Sequence, residues 1–227
     1  MSDKELQYLI EYLSEFIKEE RVKKFDEILS KRTNHVTVVL EDLHKPHNAN
    51  AVLRSCDGFG LQDVHIIENK NEFDTEGTIT LGAHRWLTLH RYNEPQKDNV
   101  DVCFDELRKQ GYKVIATTPH EQDVNIYDLD VCEKIALVFG TELDGISQNV
   151  IDKADGFAKI PMSGFSESFN ISVSAAICMY ELTKKIRQSD IESGLDESYK
   201  LKLKLEWMKK SIKAGEQLVA QYLEKGK

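Results

Sequence analysis

From Val36 onward, short runs of β-branched and aliphatic residues alternate with stretches of helical spacing. VTVVL (36–40), VHIIE (64–68), WLTLHRY (86–92), YKVIATT (112–118), KIALVFG (134–140) and GFAKIPM (156–162) read as strands. Between them, ANAVLRSCDGFG (49–60), residues 98–110 and a short stretch from Ser147 read as helices, with Gly58, Gly60 and Gly111 as stop signals. ISVSAAICMYELTKKI (171–186) is apolar on nearly every side in its first half, which predicts a helix buried all round. Strands and helices alternating at this spacing predict an α/β fold with a mostly parallel sheet flanked by helices.

The two ends have a different texture. Leu6, Leu9, Ile10, Leu13, Phe16 and Ile17 follow one helical pattern, and Val22, Phe25, Ile28 and Leu29 follow a second. Neither helix can bury a core alone, so both are expected to pack as an N-terminal extension over 1–35. The central domain is expected over 36–187. Past the polar SDIESGLDES (189–198), Leu201, Leu205, Met208, Ile212, Val219 and Leu223 form an i, i+3/i+4 stripe. They predict one amphipathic helix in a C-terminal extension over 188–227, docking on the body or on a second subunit. No internal repeat or low-complexity tract is present.

A chain of 227 residues that is 41% hydrophobic and 30% charged, with four Pro and twelve Gly, is a folded protein and not a disordered or collagen-like one. No apolar run approaches the roughly 18–20 residues that span a bilayer. The opening MSDKELQYLIEYL carries acids where a signal peptide has a basic flank, so a cytoplasmic protein with no membrane partner is expected. Cys56, Cys103, Cys132 and Cys178 form no CxxC pair and are expected to be free buried thiols. The net charge of −9 is uneven: residues 36–181 carry 12 basic and 24 acidic side chains, residues 182–227 carry 11 and 7. An acidic body with a basic tail is no sink for bulk nucleic acid, yet a local basic face can still hold phosphates.

Several apparent motifs lack a necessary part. Gly58-Phe59-Gly60 has no third glycine and ends a helix instead of joining a strand to one. Gly140 and Gly145 have the spacing of a phosphate loop, but Ile146-Ser147 follows with no lysine. In His44-Lys45-Pro46-His47 the proline breaks the geometry of a metal pair and no cluster completes it, so no metal is expected. No GxSxG elbow occurs.

Three segments remain, each following a predicted strand, where ligands gather in open α/β sheets. They are EDLHKPHNANAVLRSCDGFG (41–60), LVFGTELDGIS (137–147) and IPMSGFSESFNISVSAAICMYE (160–181). In this order they resemble the three motifs of the TrmH-type branch of the knotted SPOUT RNA methyltransferases, over about residues 21–187. The resemblance implies S-adenosylmethionine as cofactor, RNA ribose 2'-hydroxyls as methyl acceptors, a deep C-terminal trefoil knot and a homodimer. Small residues at Gly140, Gly145, Ser163 and Gly164 suit loops that approach a ligand through backbone groups.

The same resemblance assigns roles. Arg54 matches the family's catalytic arginine, with Asn50 one helical turn before it. A ribose hydroxyl is a poor nucleophile whose oxygen grows anionic as its proton leaves. A fixed guanidinium stabilises that charge and holds the neighbouring phosphate. With a pKa above about 12, arginine is no natural proton acceptor, so the acceptor stays open. Glu142 matches a glutamate that orders the site, or it caps the following helix. Thr117, Gly140, Ile160 and Phe169 match cofactor contacts, with Phe169 where leucine is more usual. Ser168 and Asn170 match the pair beside the methyl donor; either can also cap the helix at Ile171. Arg21, Arg32, Lys45, His47 and Arg85 are the RNA-binding candidates, holding phosphates without reading sequence. LHKPHNANAVLRSCDGFG, the short helical N-terminus and the tail with Trp207-Met208 look most like enzymes acting on guanosine-18 of the tRNA D-loop. Ribosomal RNA as the substrate and a non-catalytic RNA-binding module of the same fold are the alternatives.

Overall fold

The six expected strands form, and a seventh, of two residues, adds an edge that the sequence pattern did not announce. The computed structural model describes residues 1–43, 45–71, 73, 82–119, 123–141 and 144–225. The strands are β1 (Val36–Glu41), β2 (Asp63–Ile67), β3 (Thr88–Tyr92), β4 (Tyr112–Thr117), β5 (Val124–Asn125), β6 (Lys134–Phe139) and β7 (Gly156–Lys159). They pair in the order β3-β2-β1-β6-β4-β7-β5, parallel throughout. β1 is buried at every position, as a strand covered on both faces must be.

Alternation along the strands separates two apolar layers. Val36, Val38 and Leu40 face a core shared with α3 (Pro46–Phe59) and α6 (Ile171–Arg187). Val39, Val114, Ala116, Ala136 and Val138 face the opposite core with α4 (Asn99–Lys109) and Val150 of the short α5 (Gln148–Lys153). α3 starts with Pro46 in its first turn and stops at Gly60, whose φ of 86° is left-handed. At one end of the α3–α6 pair, the Asn170 amide nitrogen donates to Asn48 Oδ1 at 3.4 Å. At the other, Arg187 Nη2 donates to the Phe59 carbonyl at 2.7 Å and Phe59 packs on Tyr180. The two helices therefore run side by side in the same direction.

Within one chain α6 is covered on one face only. Ile171, Ala175, Cys178, Met179, Leu182 and Ile186 are buried, but Val173 and Tyr180 are exposed. Cys56, Cys103 and Cys178 are buried free thiols as expected, while Cys132 is exposed.

The chain divides into two units, Thr33–Ser193 and a second made of Met1–Arg32 with Gly194–Lys227. In the second, α1 (Asp3–Ser14) and α2 (Glu19–Leu29) pack with the C-terminal segment. That segment is two helices, not one: α7 (Glu197–Ser211) and α8 (Gly215–Lys225). The turn between them needs glycine, because a Cβ on Gly215 would lie 2.2 Å from the Lys209 carbonyl oxygen. Trp207 is the pivot of this unit: it is buried, meets Phe25 edge-on at 5.9 Å and carries the Arg32 guanidinium over its ring at 5.5 Å. Among the described residues no helix is long and apolar enough to cross a membrane.

Candidate active site

A cleft of about 440 Å³ opens at the C-terminal ends of β4, β6 and β7. Its walls come from Thr117 and Thr118 at the end of β4, Phe139 and Gly140 at the end of β6, Ile160 and Met162 after β7, and Ser168 and Phe169 before α6. Thr117, Gly140, Ile160, Ser168 and Phe169 thus meet in one cavity, although they are scattered over more than fifty positions of sequence.

Local physics explains why these loops take the form they do. Thr117 Oγ1 donates to the Val138 carbonyl at 2.8 Å, tying the end of β4 to β6. Gly140 begins a loop closed on itself by Thr141 N–H to the Gly145 carbonyl at 2.8 Å and the reverse bond at 3.1 Å. A Cβ on Gly140 would lie 2.1 Å from the Gly145 oxygen, so only glycine fits. The close approach that requires glycine is therefore to the protein's own backbone. Asn170 caps α6, its Oδ1 accepting the Ser172 N–H at 2.9 Å and the Ser172 hydroxyl at 2.6 Å.

The charge of the cleft is one-sided. Its described lining contains Asp144 and Glu167 and no lysine or arginine. Burial pushes the Cys178 thiol at its floor up to about 12, so the sulfur stays protonated and inert near neutral pH. Among the described residues no group of His, Cys, Asp and Glu is arranged to hold a metal.

The remaining predicted residues fall elsewhere. Arg54 is exposed on α3 and is not part of the cleft lining within this chain. Asn50 is fully buried, and its amide finds no hydrogen-bond partner among the described residues. The asparagine that reaches the third motif is instead Asn48, two positions earlier. On a helix those two side chains point roughly 200° apart, so only the packing decides which one faces α6. Glu142, like His44 of the rejected metal pair, lies outside the described residues. Lys45, His47 and Arg85 are exposed, and the turn Ala83–Trp86 that carries Arg85 packs on α3. Arg21 is exposed above Phe25, whereas Arg32 is only 2% exposed beneath the ring contact with Trp207, a setting that does not present its guanidinium to a phosphate.

Comparison with known proteins is consistent across sequence and structure. Residues 35–180 match the model of the SpoU rRNA Methylase family. The chain is 39% identical to a tRNA (guanosine(18)-2'-O)-methyltransferase of Borreliella burgdorferi over 201 residues, 88% of this chain and 90% of the relative. It is 31% identical to the protein of the same name from Thermus thermophilus, over 85% of this chain and 97% of that one. Among solved structures, a TrmH/SpoU tRNA modifying enzyme of A. aeolicus superposes with a TM-score of 0.73 at 27% identity, covering 85% of this chain and 97% of that one.

Proposed function

The chain belongs to the SpoU rRNA Methylase family, and we propose that it methylates the ribose 2'-hydroxyl of guanosine-18 in the D-loop of tRNA, using S-adenosylmethionine. The observation that carries this reading is the single cleft into which Thr117, Gly140, Ile160 and Phe169 converge from separate strand ends. An acidic and otherwise uncharged lining suits a cationic ligand. Thr117, Gly140, Ile160, Ser168 and Phe169 would hold it, and when bound the cofactor supplies an electrophilic methyl group. Guanosine-18 of tRNA is favoured over ribosomal RNA because the named tRNA relatives match over 85–88% of the chain, well beyond the 35–180 core.

The chain's own residues then have separable tasks. Arg54, exposed and on the helix beside the third motif, steadies the oxygen that becomes anionic as the hydroxyl loses its proton, and holds a neighbouring phosphate. Asn170 fixes the start of α6 against α3. Lys45, His47 and Arg85 flank the same helix and bind backbone phosphates.

A homodimer completes the reading. Val173 and Tyr180 lie two turns apart on one face of α6, 44% and 51% exposed, and Phe169 precedes them at 41%. A second copy covering this face would bring its own Arg54 toward the cleft, which accounts for an arginine that does not line the cleft of its own chain. The deep knot belongs to the same proposal.

The direct test incubates the purified protein with tRNA and labelled S-adenosylmethionine and maps 2'-O-methylated nucleosides. Label at guanosine-18 supports the reading; label elsewhere or none removes it.

A further inference from the structure

We propose that Glu41 is a positioning residue for the donor cleft: from the end of β1 it clamps Ser147 and so fixes the wall formed by Gly145 and Ile146. The inference rests on the reading of that cleft as the S-adenosylmethionine site.

Glu41 is 3% exposed, and a carboxylate at that depth must be satisfied by the protein. Both its oxygens go to one residue. Oε2 accepts the Ser147 backbone N–H at 2.9 Å, and Oε1 accepts the Ser147 hydroxyl at 2.5 Å. The Ser147 hydroxyl is at the same time the N-cap of α5, accepting the Val150 N–H at 3.2 Å. A hydroxyl that caps through its lone pair still has a proton to place, and Glu41 takes it.

The location gives the clamp its consequence. β1 lies beside β6 with Leu40 opposite Phe139, so Glu41 sits level with the point where the chain leaves β6 at Gly140. The loop from there supplies Gly140, Thr141, Asp144, Gly145 and Ile146 to the cleft, and α5 supplies Ile151. α5 has only six residues and depends on tertiary anchors: Asn149 and Lys153 bind Asp98, Val150 is buried, and at the end nearest the cleft its cap is held by Glu41.

The base of the clamp is itself immobilised. Asp42, the next residue, has a φ of 50°, and its Oδ1 accepts the N–H groups of Asn69, Lys70 and Asn71 at 2.7, 2.8 and 3.3 Å. The exit of β1 is thereby pinned to the end of β2, immediately before α3 and Arg54. Glu41 is buried and does not line the cleft, so it acts through Ser147 and touches no substrate.

Glu41→Gln tests this with little change in shape. The amide keeps an acceptor for the Ser147 N–H but turns an NH2 toward the hydroxyl, so the hydroxyl proton loses its acceptor and the charge-assisted clamp is lost. The readouts are calorimetric affinity for S-adenosylmethionine, kcat at saturating donor, and amide exchange of residues 144–147. The expected result is about ten-fold weaker donor binding, kcat within about two-fold, and faster exchange at Gly145–Ser147. Ser147→Ala should weaken binding in the same direction, and the double variant should lose less than the sum of the two single losses. Unchanged donor affinity in folded Glu41→Gln, or additive losses in the double variant, overturns the proposal. If Glu41→Gln does not fold, Ser147→Ala decides: unchanged affinity there is equally fatal. Absence of binding by the wild-type protein would instead sink the reading of the cleft itself.

Discussion

Asn170 donates its side-chain amide to Asn48 at 3.4 Å, joining two residues 122 positions apart, while its oxygen is occupied by Ser172. The carboxamide can satisfy both partners in one orientation only, with nitrogen toward α3 and oxygen toward α6. One side chain therefore caps the helix of the third motif and fixes it against the helix of the first.

Asn170→Asp separates these tasks. The aspartate keeps an acceptor for Ser172 but presents a second acceptor to Asn48. Thermal stability should stay close to wild type while methyl transfer falls. Asn170→Ala should lose activity and also about 1 kcal/mol of stability with the cap. Melting curves beside a tRNA methylation assay distinguish the two; equal activity in Asn170→Asp would contradict the orientation argument.

For Arg54→Ala, donor affinity should be unchanged while methyl transfer falls about 100-fold or more, the scale of losing one group that stabilises a developing oxyanion. Arg54→Lys should recover little, because an ammonium cannot hold a phosphate bidentately. Calorimetry with the donor and single-turnover transfer to tRNA measure the two halves separately.

Gly140→Ala places a methyl group 2.1 Å from the Gly145 carbonyl oxygen. The loop can accept it only by breaking the paired bonds between Thr141 and Gly145. Donor binding should be abolished, with circular dichroism showing that the sheet survives.

Tyr180→Glu puts a charge on the exposed face of α6. The variant should sediment at half the mass of the wild type, lose activity with it, and melt lower by the amount that dimerisation contributes. A wild-type protein that sediments as a monomer would remove the dimer proposal.

Acid should destabilise the protein through His65. Burial, with the adjacent His90, holds its pKa down to about 3, against 6.5 for an unperturbed histidine; the ring stacks on His90 at 4.6 Å and its Nδ1 meets the Tyr92 hydroxyl at 2.8 Å. Between pH 6.5 and about 3 the unfolded chain binds a proton there that the folded one refuses, so stability falls as pH falls. From pH 7.5 to 5 the loss from this residue is about 2 kcal/mol. Urea unfolding across that range should show the slope, and His65→Gln should flatten it.

Much of this was legible in the chain itself. Six strands and the helices between them follow from apolar periodicity and glycine placement, because those signals are local: a β-branched run such as VTVVL is buried in any parallel sheet, and Gly60 closes α3 in the left-handed conformation glycine adopts freely, although α3 runs through Gly58. The two-residue β5 was not legible, since two residues carry no period. Nor was the break between α7 and α8, where Gly215 comes too close to the Lys209 backbone for any side chain.

The site divides along the same line. The resemblance to the knotted methyltransferases pointed to Thr117, Gly140, Ile160, Ser168 and Phe169, and the fold gathers them. Which asparagine of α3 meets Asn170, that Arg32 is covered by Trp207, and that Glu41 grips Ser147 were decided only by tertiary packing. Each depends on the rotation of one element against another, and a rotation of that kind leaves the hydrophobic pattern unchanged while turning a neighbouring polar side chain from a buried contact into an exposed one.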